Sequence, residues 1–298
     1  MLSLKFSKND MYIASAHSSG KVSIFDVEKN LSLEKCFSVS DYPLTSIRFR
    51  GDFIVMTTSC DGKISTHHTS SGKRMHLLED QNNPLLCMDL NPSQTMFATG
   101  GHQKVVKLYD DETKTLIREL TGNYDNIAHS NRIFSVNFHT TEQNLLASGG
   151  WDNIVVFYDI RKKTVIGNCL GPHICGDAID MKGNYILTAS WKNKQQIKIF
   201  DIRTYQLVEE VDWEYKANDH TSYLYTAQYN KHQDYFAVGG SNISQYRIFN
   251  SKKTSKYCYE EFDEGHSVFT LDFGNTINNY LAIGKSDGHI ELIEIKKR

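Results

Sequence analysis

The chain carries almost no charge imbalance, few prolines and no long apolar run, and each shortage removes a class of function. Lys plus Arg number 33 against 35 Asp plus Glu, so there is no basic field for nucleic-acid phosphates or an anionic membrane surface. A partner must then be recognised by shape and local contacts, and protein is the expected class. No apolar stretch approaches the ~18 residues that span a bilayer. Residues 1–6, MLSLKF, alternate like a strand and lack the charged, apolar and small regions of a leader. The six cysteines, Cys36, Cys60, Cys87, Cys169, Cys175 and Cys258, contain no Cys-x-x-Cys, and most sit in apolar runs. They read as buried free thiols in a reducing compartment, the cytoplasm, rather than disulfides or a metal site. Four prolines and 19 glycines mark no linker, and residues 1–298 are expected to form a single domain.

Catalytic signatures are missing as well. There is no Gly-x-Ser-x-Gly and no phosphate-cradling Gly-Lys-Ser/Thr. His67 and His68 are adjacent on a strand-like run, so they point to opposite faces and cannot share a metal. His173 and Cys175 suggest a Cys–His nucleophile, but the cysteine leads into a strand. The expectation is a protein that is not an enzyme and needs neither cofactor nor metal.

What is present is a repeat. Seven segments share an apolar run ending in small residues, a turn, and a second apolar run that ends on an aromatic–acidic pair or its variant. They include FATGGHQKVVKLYD to Asp110, LLASGGWDNIVVFYD to Asp159 and LAIGKSDGHIELIE to Glu294. The ends fall at Asp26, His68, Asp110, Asp159, Asp201, Asn250 and Glu294, spaced 42, 42, 49, 42, 49 and 44 residues apart. Each segment follows an alternating strand, such as residues 46–49 or 135–138, and precedes another, such as 115–120 or 206–211. One such four-strand unit cannot bury its own faces, whereas seven around an axis can.

The period resembles that of the WD-repeat (WD40) β-propellers over essentially the whole chain. The resemblance implies an all-β, seven-bladed propeller of four-stranded blades. The last blade is expected to hold three strands, because residues 2–6 serve as the innermost strand of blade one and no closing strand is visible. Its outer edge would then accept a partner's strand, be blunted by residues 296–298, or reflect a shortened form of a longer chain. The family's terminal Trp is replaced throughout, by Phe25, His67, Tyr109, Tyr158, Phe200, Phe249 and Ile293. Its structural His–Ser/Thr–Asp–Trp chain is matched best by His129, Ser148, Asp152 and Tyr158 in blade four. Blade seven keeps His266 and Asp287, blade two pairs Thr57 with Asp61, and blade one has Ser15 with Ser19 in the Asp place. Trp151, despite the spelling Trp–Asp at 151–152, is a surplus residue.

By the same resemblance, the residue before each turn Asp faces the narrow end of the central channel. That set is Ser18, Cys60, His102, Trp151, Trp191, Asn242 and Ser286. The innermost-strand starts add Thr45, Leu86, Phe134, Asp177, Tyr225 and Phe269, and Arg132 and Tyr223 lie two residues before theirs. Phe134, Trp151, Arg132, Trp191, Tyr225, Phe269, Asp177 and His102 are the expected partner-binding residues, gripping an Arg, Lys or apolar side chain. The alternative is that these rings pack on neighbouring loops and plug the channel. Asp159–Ile160–Arg161 and Asp201–Ile202–Arg203 resemble a short motif that contacts a cullin-RING ubiquitin-ligase adaptor, through Arg161 and Arg203. The implied function is a non-catalytic interaction scaffold, with a ligase substrate receptor or a cytoskeletal or ciliary assembly component as alternatives. Nucleus and cilium are the alternative locations.

Overall fold

A computed structural model of the chain describes residues 1–122, 127–213, 222–232, 234–241, 244–263, 266–276 and 280–295, with side chains omitted at 244–245 and 255–263. It is an all-β propeller of seven blades. Six blades are four-stranded antiparallel sheets in simple chain order, and the seventh has three strands, Val268–Phe273, Tyr280–Lys285 and Ile290–Glu294. Asn242 and residues 296–298 lie outside the described residues.

The innermost strands are Ser3–Phe6, Leu44–Arg50, Leu85–Leu90, Ile133–Phe138, Ile179–Lys182, Leu224–Tyr229 and Val268–Phe273. Each packs against the next around the axis, and the last packs against the first. Second and third strands are buried on both faces, which is why they read as continuous apolar runs: Leu146, Val155, Val156 and Phe157 are solvent-free. Outer strands alternate and expose Leu33, Leu77, Leu116 and Val208 at the circumference.

Among the described residues the ring closes without a strand carried over from the other end of the chain. Leu4 N donates to Thr270 Oγ1 (3.1 Å) and Phe6 N to Asp272 Oδ2 (2.8 Å). Asp10 accepts from the backbone N–H groups of Asn275 (2.7 Å) and Thr276 (2.6 Å). Beneath these bonds Met1, Leu4, Phe6 and Ile13 share a core with Ala282, Tyr280 and Leu292.

A polar residue sits just before the last apolar residue of every innermost strand: Lys5, Arg48, Asp89, Asn137, Asp180, Gln228 and Asp272. Most of the seven reach to the neighbouring blade. Arg48 Nε donates to Asp89 (2.8 Å), Asn137 Nδ2 to Asp180 (3.3 Å), Gln228 Nε2 to Asp272 (2.9 Å) and Lys5 Nζ to Asp272 (2.9 Å). Asp89, Asn137, Asp180 and Gln228 also accept the backbone N–H of Phe138, Met181, Tyr229 and Phe273 in the next blade. The side chains that line the channel are therefore also its inter-blade ties.

Candidate functional site

The geometry of the narrow face begins with a recurring bulge. Where the innermost strand meets the second strand, the register slips by one residue: between Leu44 and Ser46, Ile133 and Ser135, Leu224 and Thr226, and Val268 and Thr270. The same slip in blade three lies opposite Gly100 and Gly101. The residue left out of the ladder is Thr45, Leu86, Phe134, Tyr225 or Phe269, and a bulge turns its side chain out of the alternation. A glycine permits the close backbone approach this requires. A Cβ on Gly150 would lie 2.1 Å from the Arg132 carbonyl oxygen, which instead accepts the Trp151 N–H at 3.1 Å.

These bulged residues converge. With Leu2, Cys60, Cys87 and Cys175 they line a well of about 350 Å³ at the mouth of the channel, with Arg48 and Asp177 at its floor. The well is blind, because Asp177 bridges Lys5 (3.2 Å) and Arg48 (3.2 Å) below it. On the far side of this barrier a separate, polar cavity of about 330 Å³ is lined by the inter-blade ties Lys5, Arg48, Asp89, Asn137, Asp180, Gln228 and Asp272.

Beside the well, aromatic rings form a belt over blades four to seven. Phe134 stacks on Trp151 at 5.0 Å between centroids, Trp151 on His173 at 6.1 Å, and Trp191 on Tyr223 at 4.5 Å. His173 and Trp191 meet at 6.3 Å, and Tyr225 meets Phe269 edge-on at 5.0 Å. Trp191 Nε1 donates to the Tyr225 hydroxyl (3.0 Å), tying belt to well. Arg132 lies over the Trp151 ring at 5.4 Å. Trp191 remains 37% exposed although it touches three rings. The third tryptophan, Trp213, is buried against Phe249 and Arg247, away from this face.

The structure thus gathers Phe134, Tyr225, Phe269 and Asp177 around one well and sets Trp151, Arg132 and Trp191 beside it. His102 is exposed and takes no part in belt or well. Asp177 is already held by Lys5 and Arg48. Trp151 and Trp191 stack on rings carried by the neighbouring loops, His173 and Tyr223, while the well at the channel mouth stays open beside them.

The blade networks differ from one another. In blade four His129 Nδ1 meets Asp152 Oδ2 (2.8 Å), His129 Nε2 meets Ser148 Oγ (2.7 Å), and Ser148 reaches the Tyr158 hydroxyl (3.4 Å). In blade two Thr57 bonds Ser65 (2.9 Å) instead of Asp61, whose carboxylate takes Lys63 (2.6 Å) and Ser59. Ser40 occupies the place of the missing histidine and approaches Asp61 at 3.4 Å. In blade seven His266 is 3.6 Å from Asp287 and half-exposed, and His289 lies closer to that carboxylate. Ser15 of blade one bonds His17 (2.9 Å), not Ser19. Arg161 and Arg203 each fold back onto the Asp of their own motif, Asp159 (2.7 Å) and Asp201 (2.5 Å). Among the described residues no three His, Cys, Asp or Glu side chains converge to hold a metal ion, and no helix is long and apolar enough to cross a membrane.

Burial sets two opposed pH effects in the channel. Burial pushes the Asp180 carboxyl up to about 7, and the Tyr229 N–H and Lys182 only partly offset it. Burial also raises Asp177, but Lys5 and Arg48 more than reverse this and hold it at about 2. A carboxyl raised in the folded state stabilises at low pH, and that stability is lost as pH rises through its folded value. A depressed one stabilises above its unfolded value and is lost as pH falls. The Asp180 contribution should therefore decline between about pH 4 and pH 7, by up to ~1.4 kcal/mol per unit. The Asp177 contribution is lost below about pH 4. Denaturant midpoints across pH 5–8 should fall for the natural chain and stay level for Asp180→Asn. Parallel curves would exclude Asp180 as the source.

Two segments, residues 72–110 and 116–159, match the family model described as WD domain, G-beta repeat. Each runs from an outer strand or the turn before it through the inner three strands of the next blade, ending at Asp110 and Asp159. The matched unit therefore straddles two blades and links them covalently. A comparison with curated proteins finds no match to the chain.

Proposed function

Because the chain is a WD-repeat β-propeller, a family that generally mediates protein interactions, we propose that it is a non-catalytic scaffold, a single domain over residues 1–298, that docks protein partners on its narrow face. The observation that carries this reading is the ring belt beside the blind apolar well. Trp191 keeps more than a third of its surface in water there, where burial against a partner is worth about 2 kcal/mol. Arg132 over Trp151 brings together two of the residue types enriched at interaction hot spots. The cytoplasm is the proposed compartment. Among the described residues the outer edge of Ile290–Glu294 is unpaired, and it offers a separate place for a donated strand. The ubiquitin-ligase reading ranks second, because Arg161 and Arg203 already spend their guanidinium groups on Asp159 and Asp201. The cytoskeletal or ciliary reading has no residue that carries it.

Affinity capture from cell extract, with mass spectrometry, compares the natural chain with Trp151→Ala and with Arg161→Ala/Arg203→Ala. Trp151→Ala should reduce the specific partners by about tenfold or more while its melting transition remains cooperative. Partners retained by Trp151→Ala but lost from the arginine variant would transfer the reading to the ligase adaptor.

A further inference from the structure

The seventh blade leaves half-open what its neighbours cover. Ile290 pairs with Gly284 as Val22 pairs with Ala16 and Val155 with Gly149, so the three hold one place in their blades. In blades one to five that place is taken by Val22, Ile64, Val106, Val155 and Ile197, each at most 3% exposed beneath a fourth strand. Ile290 is only half-buried, as are Leu292 and Ile293, and among the described residues no strand lies beyond them. The outward backbone groups and apolar side chains of this edge match a strand that would finish the blade.

The finished blades state the chemistry of such a strand. Opposite the place of Ile290, their outer strands carry Phe37, Leu78, Leu120, Cys169 and Val211, all apolar. Four residues earlier, across a one-residue bulge, stand Leu33, Arg74, Leu116, Val165 and Leu207, apolar in four of the five. Just before the later apolar residue, charge follows the facing strand: Glu119 lies opposite Lys107 (3.7 Å) and Glu210 opposite Lys198 (3.8 Å). The corresponding residue in blade seven is Glu291, so the sign is reversed and a basic residue is the matching one. Glu291 already meets Lys285 (3.2 Å), but Lys107 likewise meets Asp80 (2.7 Å) while keeping Glu119 opposite. The same edge of a second copy does not fit this register, because its Glu294 would face Ile290 and its Ile293 would face Glu291.

We propose that the outer edge of Ile290–Glu294 docks an extended strand of another polypeptide, antiparallel, with the pattern apolar–x–x–Lys/Arg–apolar. Its last apolar residue covers Ile290 and its basic residue faces Glu291. This rests on the donated-strand reading, narrows it to one sequence pattern, and is independent of the narrow-face site.

A synthetic peptide of residues 113–122 carrying Glu119→Lys has this pattern. Titrated against the full chain, it should slow hydrogen exchange in Ile290–Glu294 while the loops around Trp151 and Trp191 exchange as before. The unsubstituted peptide, which sets Glu119 against Glu291, should bind about fivefold more weakly. A peptide that also carries Leu120→Asp should not bind. Slowed exchange at this edge with equal affinity for the first two peptides would overturn the charge-selected pattern and leave strand docking standing. No slowing there, even with the Glu119→Lys peptide joined to Arg298 through a flexible linker that removes the concentration limit, would overturn strand docking too and leave narrow-face docking untouched.

Discussion

Replacing Asp272 by Ala should cost about 4 kcal/mol of stability, the scale for removing one partner of a buried ion pair. Asp272 is 5% exposed and receives three donors: Lys5 Nζ (2.9 Å), Gln228 Nε2 (2.9 Å) and Phe6 N (2.8 Å). Its loss leaves a backbone N–H without an acceptor and leaves Lys5 with Asp177 alone. The position matters more than the bond count. Asp89 and Asp180 tie blades that the chain already links, whereas Asp272 ties the seventh blade to the first, where no peptide bond does. Denaturant unfolding measures the loss. Hydrogen exchange in the variant should rise first in Ser3–Phe6 and Val268–Phe273, ahead of blade four. A loss under about 1 kcal/mol, or a uniform rise in exchange, would mean that the apolar core of Met1, Leu4, Phe6 and Ala282 closes the ring alone.

His129→Ala should cost about 3 kcal/mol through a different cause. The imidazole is solvent-free and bonds both Asp152, whose side chain is 3% exposed, and Ser148. Without it the carboxylate keeps the Ser130 N–H (2.9 Å) but loses its side-chain partner in a buried place. The same substitution at His266 should cost less than ~1 kcal/mol, because that ring is 46% exposed and 3.6 Å from Asp287. Urea unfolding of the two variants side by side checks the contrast. Equal losses would show that the blade-four network is ordinary surface electrostatics.

The sequence carried the seven-fold repeat because each third strand ends on an aromatic–acidic pair or a close variant, and stacking leaves that period intact. It also located the channel-mouth residues: Thr45, Leu86, Phe134, Asp177, Tyr225 and Phe269 all line one well. The inter-blade ties were written there too, as a polar letter before the last apolar residue of each innermost strand, but a single polar residue in an alternating strand looks like a solvated face. What the letters could not give is pairing across the ring. Asp177 meets Arg48 from 129 residues away, and nothing local marks either as taken. His102 shares a turn position with Trp151, but among the described residues no aromatic ring stacks on it. Thr57 and Asp61 looked like half of a network until Ser65 and Lys63 proved nearer partners.

The docking claim is tested most directly by hydrogen-exchange mass spectrometry of the chain with and without a captured partner. Protection should concentrate in the narrow-face loops of blades four to seven, around Arg132, Trp151, His173, Trp191 and Tyr223, while the circumference stays unchanged. Protection confined to the outer strands, or to the turns carrying Arg161 and Arg203, with the aromatic belt exchanging as before, would contradict it.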